Sequence, residues 1–315
     1  MNIIFMGTPE FSVKILEAVH QEYGVSLVVT QPDKLVGRKK ILTFSPIKKK
    51  ALELGITVFQ PVKMKNDYQP ILDQSPDIII TAAYGQMIPD EVLNYPKFGA
   101  INVHASWLPL LRGGAPIQRA IQRLHNTIGV TIMYMASKMD AGDIIKQTSI
   151  PIMPTDTSGL LFKKLSFVGR DLLIDTLPSI FNGTNNRKVQ DENLTTYAYN
   201  IKREEERINW NLTVRQIDAH VRAFTPTPTC YTTIDSLNLK ILKVEPFECE
   251  SFLENHASQQ NGTIIKLFKN GIGVKCINGV IKITEIQLAG KTKQDVKTFM
   301  NGAGRNIIKV DKVFK

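Results

Sequence analysis

Short apolar runs alternate with stretches of helical periodicity through the first 135 residues, and this alternation constrains the fold more than any other feature of the chain. NIIFM (2–6), VSLVVT (25–30), TVFQP (57–61), PDIIITAAYG (76–85), GAINVHAS (99–106) and IGVTIMYM (128–135) read as strands. Between them, FSVKILEAVHQEY (11–23) repeats its apolar residues at the spacing of one helix face. SPIKKKALELG (45–55) has Ser45 placed to cap a helix and Gly55 placed just past its end. The unbroken apolar run within 76–85 suits a strand buried on both faces. The expected fold class is α/β, a doubly wound, Rossmann-like, mostly parallel sheet that holds ligands at the carboxyl ends of its strands.

A chain of 315 residues exceeds one typical core, so a second domain is expected. Residues 158–183 read as a long amphipathic helix closing the first domain, and the polar, turn-rich stretch 183–207 as a linker with extended segments. Beyond it the helical signal is confined to TVRQIDAHVRAF (213–224). The remaining short strands, CYTTI, LKILKVEPF, GTIIKLF, GIGVKCI and GVIKITEIQL, have the turn-bounded spacing of a small OB-like β-barrel. The boundaries drawn are 1–188 for the first domain, 189–207 for the linker and 208–315 for the barrel.

The densest cluster of chemically able residues is GAINVHASWLPLLRGGAPIQRAI (99–121). Asn102 and His104 are two apart on an expected strand and so share one face. They lie at its end, before a loop rich in Pro and Gly, where an open α/β sheet places its site. MDAGDII (139–145) follows the next expected strand, and Asp140 approaches His104 if those strands are neighbours. The spacing alone names no reaction, because an Asn and a His before a loop serve equally well as hydrogen-bonded turn residues.

Other chemistries find no support. GTPEF (7–11) has one Gly and lacks the dinucleotide fingerprint, and there is no P-loop, HExxH or GxSxG. Ser106 stands in HASWLP, which is no nucleophile elbow. Five scattered histidines and three separated cysteines, Cys230, Cys249 and Cys276, give no metal centre and read as reduced thiols of a cytoplasmic protein. The N-terminus has no secretory pattern, and no apolar run approaches the ~20 residues needed to cross a bilayer.

The formal net charge is +10, which favours a polyanionic partner. Residues 31–50 hold seven Lys or Arg against the single Asp33, and residues 207–315 hold sixteen basic against nine acidic. A Lys-rich loop can equally be a solvated surface.

Taken together, GTPEFS, QPDK…GR…SPIK, AAYGQMIP (82–89), INVHASWLPLLRGGAPI, MDAGDII, TYAYNI…INW (196–210) and RAFTPTP (222–228) resemble the methionyl-tRNA formyltransferase family over nearly the whole chain. The N-x-H…D pattern marks the wider formyltransferase superfamily; GTPEF, the basic segment and the C-terminal domain mark its tRNA-specific branch. The resemblance implies formyl transfer from 10-formyltetrahydrofolate to the α-amino group of initiator methionyl-tRNA, without a metal. It assigns Asn102, His104 and Asp140 to catalysis and Ser106, Trp107, Leu108 and Pro109 to the folate loop, with Trp107 standing where the family usually has Leu. It also implies that Arg38, Lys39 and Lys40 grip the acceptor stem. A cytoplasmic monomer is expected. The nearest alternative keeps the chemistry and changes the acceptor to an amino-sugar nucleotide. A non-catalytic RNA-binding protein on the same scaffold is the alternative of another class.

Overall fold

The computed structural model describes residues 1–37, 40–247, 254 and 256–315. By contact the chain groups into two compact units, one of residues 1–116, 127–151 and 161–200, the other of 117–126, 152–160 and 201–315.

The first unit is built on β1 (Ile3–Gly7), α1 (Glu10–Tyr23), β2 (Leu27–Val29), β3 (Lys34–Val36), β4 (Ile41–Thr43), α2 (Pro46–Glu53) and β5 (Thr57–Phe59). It continues through α3 (Gln69–Leu72), β6 (Ile78–Ala82), α4 (Asp90–Leu93) and β7 (Ala100–His104). α5 (Pro116–Gln122) groups almost wholly with the second unit; the first resumes with β8 (Thr127–Tyr134), β9 (Ile144–Pro151) and, from Leu161 on, α6 (Ser158–Phe181). Seven of the strands form one sheet in the order β5-β2-β1-β6-β7-β8-β9. The first five run parallel, while β8 and β9 pair antiparallel. Strand order reverses beside β1, so ligands are expected near the carboxyl ends of β1, β6 and β7.

Every residue of β1 and β6 is buried, as their apolar runs require. α1 begins after Pro9 in extended conformation and ends at Gly24, whose positive φ lets its N–H reach His20 O at 2.9 Å. Ser45 caps α2 by accepting from Lys48 N at 3.0 Å, as the sequence suggested. α6 presses on the strand that carries the candidate residues: a Cβ on Gly169 would stand 2.9 Å from Val103 Cγ1.

Two strand features escaped the sequence reading. The basic segment is no plain loop, since β3 and β4 pair as an antiparallel hairpin from Lys34↔Thr43 to Val36↔Ile41. All but one of its six strand residues are exposed, so burial left no period to read. β9 begins at Ile144, on the last two residues of MDAGDII; as an edge strand it buries only Ile144, and its polar residues hid it.

The second unit contains α7 (Val214–Ala223), β10 (Cys230–Ile234), β11 (Leu237–Phe247), β12 (Ile264–Phe268), β13 (Gly271–Cys276), β14 (Gly279–Leu288) and the two-residue β15 (Gln294–Asp295). The sheet is antiparallel throughout, ordered β10-β11-β14-β13-β12 with β15 beside β14. This is the smaller β domain expected from the turn spacing. Trp210 anchors it, stacked on Phe314 with its Nε1 donating to Thr232 Oγ1 at 3.0 Å. Among the described residues no helix is long and apolar enough to cross a membrane, and no cluster could hold a metal ion.

A titratable group is buried in this unit. His220 on α7 is 7% exposed and meets Phe224 edge-on. Burial pushes its pKa down to about 4; the Glu205 charge opposes this shift and Arg119 adds to it. The folded ring therefore stays neutral while the unfolded ring gains a proton below about pH 6.5. Stability is intact above that value and drains away as pH falls toward about 4, by about 3 kcal/mol in all. Thermal melts at pH 7, 5.5 and 4.5 check this: His220→Phe should lose less melting temperature on acidification than wild type. An equal acid loss in both proteins would show that another group sets the acid limb.

Candidate active site

β7 places Asn102 and His104 on one face, two residues apart at its carboxyl end. Its register sets Asn102 beside Thr81 of β6 and His104 opposite Thr131 of β8. Thr81 Oγ1 lies 2.8 Å from Asn102 Oδ1, the nearest of three acceptors that share its single proton, with Ile101 O at 3.1 Å and Met135 Sδ at 3.2 Å. The Nδ2 of Asn102 meets no protein acceptor among the described residues, leaving two N–H donors for a ligand.

His104 is buried at 7% exposure, with a protein oxygen facing each ring nitrogen. Its Nε2 lies 3.2 Å from Leu111 O, and its Nδ1 lies 3.7 Å from Asp140 Oδ1. The second distance is long for a hydrogen bond but short for an ion pair, and catalytic contacts commonly tighten when substrate binds. Asp140 itself has φ +51, a left-handed conformation that Asp tolerates and that its surroundings must hold. Its Oδ2 accepts from Gly113 N at 2.8 Å. A substituent on Gly113 would stand 2.7 Å from Ala198 O at φ +124, so only glycine brings that N–H to the carboxylate.

The structure thus brings together Asn102, His104 and Asp140, which lie up to 38 positions apart in the chain, and adds residues the sequence had not singled out. Leu111 and Gly113 contact the pair by backbone, and Thr81 contacts the amide. The Gly113-Gly114 doublet was the one visible hint, since paired glycines mark close backbone approach.

In the loop Ser106–Pro109 the side chains divide. Ser106 is fully buried, its Oγ donating to Leu110 O at 2.7 Å and its carbonyl accepting from Thr131 Oγ1 at 2.7 Å. Leu108 is buried, with N donating to Thr131 Oγ1 at 3.2 Å and O accepting from Gln147 Nε2 at 2.9 Å. Gly129 of β8 leaves room for the loop, since a Cβ there would come within 2.9 Å of Trp107 backbone atoms. Trp107 alone turns a large face outward, at 45% exposure.

Of the three basic residues singled out, Arg38 and Lys39 lie outside the described residues. Lys40 closes the hairpin turn, its N donating to Gly37 O at 3.1 Å with φ +47. Two of the seven cations are spent locally: Lys48 pairs with Asp33 at 2.5 Å and Lys50 with Glu17 at 2.9 Å. Leu35, Val36, Ile41 and Leu42 are all exposed on the same hairpin.

A polar triad poised at the carboxyl edge of a doubly wound sheet fits acyl-group transfer without a covalent enzyme intermediate, and comparison with known proteins specifies the group. Residues 1–177 match the formyl transferase model and residues 200–304 the model of the formyl transferase C-terminal domain, so the chain belongs to the formyl transferases. Its relatives include the methionyl-tRNA formyltransferase of Lysinibacillus sphaericus, 47% identical over 310 residues and 97% of both chains. That of Macrococcus caseolyticus is 44% identical over 98% of this chain and 97% of its own. Within the class, the chain belongs to the methionyl-tRNA formyltransferase family. Among solved structures, WlaRD, a sugar 3N-formyl transferase, is similar with TM-score 0.65 at 20% identity, over 93% of this chain and 99% of its own. HypX from Aquifex aeolicus in complex with tetrahydrofolic acid is similar with TM-score 0.67 at 16% identity, over 99% of this chain and 50% of its own. At those identities the likeness is one of fold.

Proposed function

We infer that this chain transfers a formyl group from 10-formyltetrahydrofolate to the α-amino group of initiator methionyl-tRNA, for translation initiation. The observation that carries the reading is the Asn102–His104–Asp140 arrangement, with His104 Nδ1 3.7 Å from Asp140, in a chain of this family. When bound, 10-formyltetrahydrofolate supplies the formyl group from its N10. The unpaired Nδ2 of Asn102 and the exposed indole of Trp107, both near the carboxyl end of β7, suit such a ligand.

As the methionyl amine attacks the formyl carbon, negative charge grows on the formyl oxygen. Asn102 Nδ2 is the donor open to it, and His104 supplies a ring N–H by exchanging its contact with Leu111 O for the formyl oxygen. Asp140 holds the imidazole by its Nδ1 edge and assists removal of the amine proton. The new carbon–nitrogen bond forms at the methionyl amine, the bond to N10 breaks, and a proton is delivered to N10.

The Ser106–Pro109 loop serves the folate, with Trp107 as the contacting side chain and Ser106 and Leu108 as its internal supports. The basic-segment cations Lys34, Arg38, Lys39 and Lys40 bind acceptor-stem phosphates. Residues 1–188 carry the chemistry and residues 208–315 add tRNA-binding surface. The protein acts as a monomer in the cytoplasm, where its buried thiols Cys230 and Cys276 stay reduced.

Incubating the protein with 10-formyltetrahydrofolate and charged tRNA tests the reading directly. Formylation of initiator but not elongator methionyl-tRNA is expected; formylation of an amino-sugar nucleotide instead would overturn it. Trp107 offers a second check, because the other tryptophan, Trp210, is buried. Folate should quench tryptophan emission in wild type and leave Trp107→Leu unquenched. That variant should raise the folate KM by roughly three- to tenfold, the size of one lost aromatic contact of about 1 kcal/mol.

A further inference from the structure

Asp140 occupies a left-handed conformation, and its carboxylate contacts only His104 and Gly113 N among the described residues. What holds its backbone is Gln190, fifty positions later in the segment after α6. Gln190 Nε2 donates to Asp140 O and to Gly142 O, both at 2.8 Å, and so fastens the turn on either side of Ala141. The other end of the same amide is fully engaged. Gln190 Oε1 accepts from Arg112 Nε at 3.0 Å and from Arg112 Nη2 at 2.8 Å, a forked pair.

Arg112 is completely buried and would be a costly residue there without this anchorage. Its Nη1 reaches Glu192 Oε1 at 2.9 Å, and Lys138 completes the set on Glu192 Oε2 at 2.5 Å. Together these two cations hold the Glu192 carboxyl below the usual carboxylate range. The backbone at Arg112 is pinned as well, to Thr196 O at 2.9 Å and Ala198 N at 2.7 Å.

These bonds close a ring around the candidate acid. Leu111 O faces His104, Gly113 N grips the Asp140 carboxylate, and the side chain of Arg112 between them returns through Gln190 to the Asp140 backbone. One rigid loop therefore sets both members of the His104–Asp140 pair.

We propose that Gln190, anchored by buried Arg112, is a positioning residue for formyl transfer. It fixes the Asp140 turn so that the carboxylate meets His104, and it touches no substrate. Supporting shells of this kind decide whether a catalytic group is held within about 0.5 Å of its working place. The inference rests on the assignment of Asp140 to catalysis made above.

Gln190→Glu separates the two ends of the amide: it keeps an acceptor for Arg112 and loses the donor to Asp140 O and Gly142 O. The variant should melt close to wild type. Its single-turnover formyl transfer should fall about tenfold or more at saturating substrates, with KM for folate and for tRNA within twofold. The decisive measurement is the cycle with Asp140→Asn. If Gln190 acts through Asp140, Asp140→Asn/Gln190→Glu should be no slower than Asp140→Asn alone. Losses that multiply, or a Gln190→Glu rate equal to wild type while Asp140→Asn is slow, overturn the proposal and leave the catalytic assignment standing. A wild-type rate in Asp140→Asn itself overturns that assignment first. Should Gln190→Glu melt early, the same cycle is read at a temperature where every variant is folded.

Discussion

His104→Ala is expected to lower formyl transfer by roughly 10²–10³, the size of losing one preorganised donor to a developing oxyanion. The fold should survive, because the ring's polar contacts are confined to Leu111 O and Asp140. The loss should appear in the single-turnover rate at saturating tRNA and folate, with KM values little changed, since the donor acts on charge that grows only as the amine attacks. Asn102→Ala should behave alike for the same reason: its Nδ2 makes no hydrogen bond among the described residues, and its Oδ1 meets only the Thr81 hydroxyl there. A His104→Ala enzyme turning over at the wild-type rate would sink the proposed mechanism, whatever became of Asn102.

The second large effect concerns tRNA. Replacing Lys34, Arg38, Lys39 and Lys40 by Gln should weaken tRNA binding by about two orders of magnitude at low salt. Four phosphate contacts would contribute a slope of roughly three in log affinity against log salt. Wild-type binding should therefore fall steeply between about 50 and 200 mM salt, and the variant should start lower and fall more gently. Lys48 and Lys50 are left untouched because Asp33 and Glu17 already hold them. Folate binding, read from Trp107 emission, should not move. Titrations of labelled tRNA at three salt concentrations decide it: parallel slopes for the two proteins would assign these cations to the surface and not to a phosphate.

Much of this was legible beforehand, where the chain's local chemistry and its final environment agree. Ser45 and Gly55 bracketed α2 because capping is settled within a few residues. Asn102 and His104 could be placed on one face because strand side chains alternate whatever the partner strand. β9 could not, since an edge strand with one buried residue leaves no alternation of apolar and polar positions. The hairpin of β3 and β4 was hidden for the same reason, having no buried face.

The sequence by itself determined the kind of sheet, the strand that bears the candidate site, the residue types proposed for it and, through full-length family resemblance, the group transferred. These rest on period, composition and motif, which are properties of short segments. Only the tertiary structure decided how Asp140 reaches His104, why Gly113 must be glycine, and that Gln190 and Arg112 hold the turn between them. A bond between residues fifty or more positions apart depends on where the backbone has been folded, and one segment's pattern carries no trace of the other's position.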